Sequence, residues 1–254
     1  MGKRRKIALV TGGSRGLGKD MALKLANKGL DVILTYHSKK DEALNVVREI
    51  EQAGCKAAAI QLDAGDIKSF EDFFDEVRDV LQKAFNTDKF DYLVNNAGIG
   101  RNAPINAVSE EMFDELLNLH FKGVYFLTQK ALGLLNDGGG IVNVSSGLAR
   151  FSMPGYSAYA AMKGGVEVFT RYLAAELGSR GIKANVIAPG AIATDFSGGL
   201  VRDNENINKH ISGITALGRV GLAEDIGGVV AFLCSDDARW INAQRIEISG
   251  GMNT

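Results

Sequence analysis

Short apolar runs alternate with longer amphipathic ones along the whole chain. KIALV, DVILTY, KAAAIQL, FDYLVNN, GIVNVSS, IKANVIA and QRIEIS each carry the strand signal of clustered apolar and β-branched residues. Between them, GKDMALKLANKG, SFEDFFDEVRDVLQKAF and EDIGGVVAFLCS repeat their apolar positions with the period of a helix. Seven strands separated by helices predict an α/β fold: a doubly wound, seven-stranded parallel sheet with helices on both faces. Ligands of such sheets bind beyond the carboxyl ends of the strands, so the residues that follow each strand are the candidates for function. One polar stretch, TDFSGGLVRDNENINKHISGITALG, carries few structural signals. It is expected to form a mobile lid over about 195–217, with Gly198, Gly199 and Gly213 as hinges.

Composition narrows the picture. A chain of 254 residues, 46% hydrophobic and with three prolines, is expected to fold as one domain over 1–254. Lys and Arg number 29 against 30 Asp and Glu, which offers no electrostatic footprint for nucleic acid or an anionic membrane. The basic cluster Lys3-Arg4-Arg5-Lys6 leads into an apolar strand and is expected to be solvated. No run approaches the ~18 apolar residues of a membrane span, so a cytoplasmic protein is expected. Cys55 and Cys234 stand far apart and His37, His120 and His210 lack ligand spacing, so no disulfide and no metal site is expected.

Two stretches carry candidate chemistry. After the first predicted strand, Thr11-Gly12-Gly13-Ser14-Arg15-Gly16-Leu17-Gly18 opens directly into a helix. Glycines there let the backbone approach a pyrophosphate, whose charge is favoured at a helix N-terminus. Further on, YAAMK places the Tyr159 phenol and the Lys163 ammonium at i and i+4, neighbours on one helix face. That spacing alone also describes a solvated lysine beside a half-buried tyrosine.

Four stretches occurring in order give the chain its resemblance to the short-chain dehydrogenase/reductase superfamily. They are TGGSRGLG after the first strand, NNAG (Asn95 to Gly98) after the fourth, VSS followed by YAAMK after the fifth, and APGAIAT (Ala188 to Thr194) after the sixth. The resemblance implies a Rossmann-type fold, a nicotinamide cofactor, hydride exchange between a carbonyl and an alcohol, and a homotetramer. It assigns Tyr159 as the proton donor in reduction and the base in oxidation, Lys163 as its partner and holder of the nicotinamide ribose, and Ser146 as the hydroxyl that steadies the substrate oxygen. An adjacent ammonium is expected to favour the phenolate of Tyr159. Ser145 is expected to point to the other side of the strand.

The same resemblance places the cofactor along Gly12, Ser14, Arg15, Gly16, Leu17 and Gly18, then Tyr36, His37 and Ser38, then Asp63 and Ala64, then Asn95, Ala97 and Gly98, and finally Pro189, Gly190, Ile192 and Thr194. NAD-specific Rossmann enzymes usually carry an acid after the second strand. Here that stretch reads Tyr36-His37-Ser38-Lys39-Lys40, without a carboxylate. Arg15, helped by Ser38 and Lys39, is positioned for a ribose 2′-phosphate, so NADP(H) is expected over NAD(H). Asp63 resembles the family's adenine-contacting aspartate, and Asp66 is expected to cap a helix.

One departure concerns the central helix. Counting from Gly98, the family's asparagine position falls on His120 in NLHFKG. That asparagine completes a proton relay through water to the lysine, so His120 joins the candidate catalytic residues as a group expected to titrate near pH 6.5. The replacement also leaves open a cofactor-binding sensor with little turnover. For substrate, the loop before the fifth strand, Asn136-Asp137-Gly138-Gly139-Gly140, lacks the basic residues frequent in reductases of acyl-carrier-protein thioesters; Arg180 is the remaining basic candidate. A 3-oxoacyl, sugar-like or other small keto substrate remains open.

Overall fold

A computed structural model describes residues 4–254. Seven strands form one sheet: β1 (Ile7–Val10), β2 (Asp31–Tyr36), β3 (Ala57–Gln61), β4 (Phe90–Asn95), β5 (Leu135–Val144), β6 (Lys183–Pro189) and β7 (Arg245–Ile248). They lie in the order β3-β2-β1-β4-β5-β6-β7 with every pairing parallel. The direction of winding reverses between β1 and β4, which opens a crevice at their carboxyl ends.

Strand alternation sorts the core into two layers. Ala8 and Val10 of β1 face one layer, with Met21 and Leu25 of α1 (Gly16–Asn27), Val46 and Ile50 of α2 (Lys40–Gln52). Ile7 and Leu9 face the other, packed with Phe70, Phe73 and Phe74 of α3 (Phe70–Val80). Full burial of each such side chain stabilises the fold by about 1.5–3 kcal/mol.

The central helix is broken. α4 (Glu110–Leu117) and α5 (Gly123–Ala131) are joined by a π-helical turn, Asn118–Lys122, that carries His120. A Cβ on Gly123 would stand 2.0 Å from the carbonyl oxygen of Ala64, so the helix passes the turn after β3 only because a glycine is there. α6 (Ser157–Glu176) then carries Tyr159 and Lys163.

Three local readings differ in the structure. β5 begins at Leu135, not at Gly140: Gly138 takes a left-handed φ of 74° and a Cβ on Gly139 would stand 2.2 Å from Asp91 O, so the glycines let the early strand run tight against β4. The 195–217 segment is largely helical, with a 3-10 turn (Phe196–Gly199), α7 (Leu200–Asp203) and α8 (Glu205–Gly213) before α9 (Glu224–Leu233). Asn204 caps α8 by accepting from the N–H groups of Asn206 and Ile207, and Ile207, Ile211 and Ile214 pack with Phe151 and Met252. The basic cluster is not merely solvated. Lys3 lies outside the described residues, but Arg4 pairs with Asp91 at 2.8 Å, and Lys6 with Asp236 at 2.8 Å and the Tyr92 hydroxyl at 2.9 Å.

Candidate active site

The glycine-rich turn leaves β1 with Gly12 and Gly16 in left-handed conformations, φ 65° and 54°. A Cβ on Gly18 would fall 2.1 Å from Gly12 O, so the turn closes only with glycine at that position. Its shape is held by side chains that motif reading passed over. Gly12 N–H donates to Thr35 Oγ1 at 3.1 Å, Asn96 Nδ2 donates to Thr11 O at 2.9 Å, and Thr11 Oγ1 accepts from Asn96 and Ala97 N–H. α1 starts at Gly16 with no side-chain cap and no acid in its first turn, so its N-terminal N–H groups suit a phosphate. This arrangement fits the pyrophosphate of a dinucleotide.

Arg15, more than half exposed, borders with Ser14 and Lys19 an open cleft of ≈ 510 Å³ and stands 3.7 Å from Asp195 of the following segment. Tyr36 is buried, while His37 and Ser38 are exposed at the end of β2. His37 Nε2 lies 3.6 Å from Asp63 Oδ2, and Asp63 Oδ1 accepts from Gly65 N–H, placing the ends of β2 and β3 side by side next to Ala64. Asp66 caps a short 3-10 turn ahead of α3. The side chain of Asn95 is turned inward: it donates to Thr128 Oγ1 at 2.9 Å and Asn143 Oδ1 at 2.8 Å, and serves as a tie between strand and helix, not a group facing the crevice.

After β6, Gly190 N–H donates to Ile248 O, and a Cβ on Gly190 would stand 2.9 Å from Ser249. The Pro189-Gly190 turn thereby brings Thr194 across the crevice, its Cβ 3.7 Å from the position a Gly16 Cβ would take. Ile192 O accepts from Thr194 N–H, and Thr194 Oγ1 accepts from Phe196 N–H, so part of the polar surface expected here for a carboxamide is already engaged.

Ser146, Tyr159 and Lys163 meet at the carboxyl end of β5. Ser146 caps the 3-10 turn Gly147–Ala149 by accepting from Leu148 N–H at 3.2 Å. Ser145 points the other way, as alternation requires, and donates to Glu167 at 2.7 Å. Tyr159 and Lys163 are both buried, 8% and 4% exposed, with Lys163 Nζ 5.6 Å from the Tyr159 ring centroid and donating to Val144 O at 2.7 Å. Phe196 stands over the same ring at 6.3 Å.

Burial dominates the electrostatics. It pushes the Tyr159 phenol up, against the Ser146 hydroxyl that pulls it down. It lowers the Lys163 ammonium to about 7. The expectation that the ammonium sets the acidity of Tyr159 is thus corrected: within the protein alone, desolvation outweighs the Ser146 bond, and Lys163 is not among the groups that move the phenol. His120 is also corrected. It is 1% exposed, and burial, followed by the charge of Lys163, holds it well below 6.5, with the Ile99 bond opposing. Its ring lies 5.0 Å from that of Tyr159 at 82°, and a Cβ on Gly98 would stand 2.7 Å from its Cε1.

A charged network behind Ser146 escaped motif reading. Arg245 of β7 pairs with Glu167 at 2.7 Å and Glu247 at 2.9 Å and donates to Ser146 O at 3.3 Å; Arg150 binds Glu247 and Met252 O. Arg180 is removed from the candidates. It binds Asp137, Leu132 O and Leu135 O at the amino end of β5, the opposite end of the strands from Tyr159. Among the described residues no cluster of His, Cys, Asp or Glu fits a metal ion, and no helix is long and apolar enough to cross a membrane.

The glycine turn at the β1–β4 reversal and the Tyr-Lys pair after β5 define a dinucleotide-dependent oxidoreductase, and the chain belongs to the short-chain dehydrogenase/reductase superfamily, enzymes acting on C=O and CH–OH groups. The family model that matches, over residues 12–253, is described as enoyl-(acyl carrier protein) reductase. The chain is 38% identical over 261 residues to hydroxynaphthalene reductase-like protein Arp2 of Metarhizium brunneum (strain ARSEF 3297), covering 98% of this chain and 95% of that protein. It is 38% identical over 253 residues to 3-oxoacyl-[acyl-carrier-protein] reductase FabG of Staphylococcus aureus (strain Mu50 / ATCC 700699), covering 98% and 99%. Among solved structures, the angucycline C-6 ketoreductase LanV with bound NADP superposes with a TM-score of 0.93 at 36% identity, covering 99% of this chain and 97% of that one.

Proposed function

We propose that the protein is an NADP(H)-dependent carbonyl reductase, working reversibly on a secondary alcohol, with Ser146, Tyr159 and Lys163 as catalytic residues. The observation that carries this reading is the burial of Tyr159 and Lys163 side by side at the end of β5, next to Ser146 and across the crevice from a glycine turn. Bound at that turn, the nicotinamide cofactor supplies or removes hydride. The residues of the chain do the rest. Tyr159 holds the proton that a reduced carbonyl oxygen needs, Ser146 donates to the same oxygen, and Lys163 orients the cofactor ribose and the tyrosine. Gly12 to Gly18 and the start of α1 receive the phosphates, with Ala97, Gly98, Ile192 and Thr194 bordering the remainder.

The preference for NADP(H) rests on the absence of a carboxylate at Tyr36-His37-Ser38 and on exposed Arg15 nearby. Phe196 over Tyr159 supports an apolar, ring-bearing ketone as substrate. With Arg180 engaged at the far end of the strands, that residue does not favour an acyl-carrier-protein thioester. Cyclic aromatic ketones, the class suggested by the names of the hydroxynaphthalene and angucycline relatives, are therefore the first to test. A homotetramer is consistent with the exposed Tyr125 and Phe126 of α5 and Val168 and Tyr172 of α6, and a cytoplasmic setting with two free cysteines. The test is a panel of cyclic, 3-oxoacyl and sugar-like carbonyls with NADPH and NADH. Turnover with NADPH is expected; tight NADPH binding without turnover on any carbonyl favours a sensor.

A further inference from the structure

The turn that begins the 195–217 segment is closed by charge. Arg202 donates to Asp195 through Nη1, and to the two oxygens of Asp203 at 2.7 and 2.8 Å. Between these carboxylates the chain runs through Ser197, Gly198 and Gly199 at positive φ. A Cβ on Gly199 would collide with Asp203 Oδ2 and stand 2.8 Å from Arg202 Nη2. The ion cluster therefore folds over a glycine and fixes the place of Asp195. Its two carboxylates and one guanidinium leave one net negative charge.

That charge faces the glycine-rich turn. Asp195 Oδ2, the oxygen that Arg202 leaves free, lies 3.7 Å from Arg15 Nη1, while the preceding Thr194 lies beside Gly16. A separation of 3.7 Å is too long for a hydrogen bond, so the carboxylate acts on Arg15 through charge and does not fix the direction of its guanidinium. The other charges along the cleft are engaged elsewhere: Lys19 pairs with Glu49 at 2.8 Å, and Arg48 donates to Asn45 and to Leu44 O. An anion held at Arg15 has one consequence for a dinucleotide. A ribose 2′-phosphate brings up to two negative charges to Arg15, whereas a 2′-hydroxyl brings none. If the phosphate displaces Asp195, the ion pair is lost; if both share the guanidinium, the two anions repel. Either course opposes the phosphate and spares the hydroxyl.

We propose that Asp195 is a cofactor-selectivity residue: its carboxylate, held in place by Arg202, competes with a ribose 2′-phosphate for Arg15 and lowers the preference for NADP(H) over NAD(H). The inference rests on the reading of Arg15 as the partner of that phosphate. Arg15 still favours NADP(H), but it binds the phosphate less tightly than an arginine facing no carboxylate. Both side chains are about half exposed, which bounds the effect at about fivefold in affinity.

Calorimetric titration of NADPH and NADH into the wild type and Asp195→Asn, at low ionic strength where surface charges are least screened, tests it without any turnover. Asp195→Asn is expected to tighten NADPH by about two- to fivefold and to leave NADH unchanged. Adenosine 2′,5′-bisphosphate against AMP is expected to show the same selective gain, which separates the phosphate from any effect of the segment on the nicotinamide. Added salt is expected to erase the gain. Unchanged NADPH affinity overturns the proposal. So does an equal gain for both cofactors, which would mean a loosened segment or relief at the pyrophosphate, and so does weaker NADPH binding, which would make Asp195 a residue that orients Arg15. If Asp195→Asn does not fold, Asp203→Asn removes a charge from the same cluster and is expected to shift selectivity the same way by a smaller factor; no shift there refutes the proposal as well. Arg15→Ala keeps the two readings apart. Equal losses of NADPH and NADH in that variant refute the role of Arg15 itself, whereas a selective loss of NADPH together with a neutral Asp195→Asn refutes this inference alone.

Discussion

Lys163 donates to the carbonyl of Val144 at 2.7 Å, and that bond joins the middle of a helix to the last residue of β5 immediately before the serine pair. A lysine is rarely buried without a carboxylate partner, and here the main-chain oxygen takes that place. The bond ties the strand end to the ammonium and to the phenol one helical turn away, which is the rigidity the proposed proton transfer needs.

If Tyr159 supplies the proton, its removal leaves binding intact and chemistry impaired. Tyr159→Phe is expected to lower kcat by on the order of a hundredfold or more, with NADPH affinity nearly unchanged. Steady-state kinetics together with a cofactor titration by fluorescence check it. Wild-type turnover in a folded variant removes Tyr159 from the mechanism.

Arg15 is exposed and its nearest carboxylate, Asp195, is 3.7 Å away and itself half exposed, so that pair holds it weakly. Arg15→Ala is expected to weaken NADPH by about 1.5–3 kcal/mol, the range for a hydrogen bond to a charged group, and to leave NADH nearly unaffected. Calorimetric titration of both cofactors measures the difference. Equal losses for the two would place Arg15 on the pyrophosphate or on neither.

The segment from Asp195 to Leu217 carries Ser197, Gly198 and Gly199 in succession at positive φ, 53°, 71° and 80°. Such a run is where the backbone can swing, and its anchors, Asp195 with Arg15 and Arg202, lie at the surface. Amide exchange across residues 195–217 is expected to be fast in the free protein and to slow on addition of NADPH and a substrate analogue. Equal protection in both states would make this a fixed wall.

Legibility differed by the kind of signal. The inner strands β1, β2, β4 and β6 were readable because each is a largely apolar run buried on both faces, whereas the edge strands β3 and β7 are only partly buried; the glycine turn was readable because its left-handed residues demand one amino acid. The early part of β5 was not, because Asn136-Asp137-Gly138-Gly139 has the composition of a turn and pairs only through a bulge at Phe90 and Tyr92. The helix α8 carried a legible cap in Asn204, outweighed by the glycines before it. Arg245 and Glu167 had no local signal at all, since their contacts join β7 to α6 and to the Ser146 carbonyl that follows β5. His120 was placed by counting, but its neutrality depends on burial and on the charge of Lys163, which counting does not reveal.

Arg245→Met tests whether that network holds Ser146. It leaves Glu167, 14% exposed, with only Ser145 as a partner and frees the Ser146 carbonyl. Loss of a hydrogen bond to a charged group predicts about 1.5–3 kcal/mol of stability, and a looser Ser146 predicts a lower kcat at unchanged KM for NADPH. Urea unfolding and kinetics measure the two separately; a stability loss without a change in kcat would confine the network to structure.

Lys163 sets a pH dependence of stability whose sign follows from its burial. Its folded-state value is lowered to about 7 from an ordinary 10.5. Below pH 7 both folded and unfolded chains carry the proton, and the folded state bears the full cost of a buried charge. Between about 7 and 10.5 the unfolded chain binds more protons than the folded one, so the contribution of this residue rises with pH. Lys163→Met removes the charge at similar length, at the expense of the bond to Val144 O. The variant is expected to be inactive yet more stable than the wild type at pH 6, by about 2–4 kcal/mol from the size of the shift less one hydrogen bond. That advantage should shrink steadily as pH rises to 9. Urea midpoints for both proteins at pH 6, 7.5 and 9 test this, because the other groups titrating in that range are common to the two chains and cancel in the difference. A difference that stays constant across the three values would mean that Lys163 remains charged in the folded protein up to pH 9, held so by a partner strong enough to offset its burial.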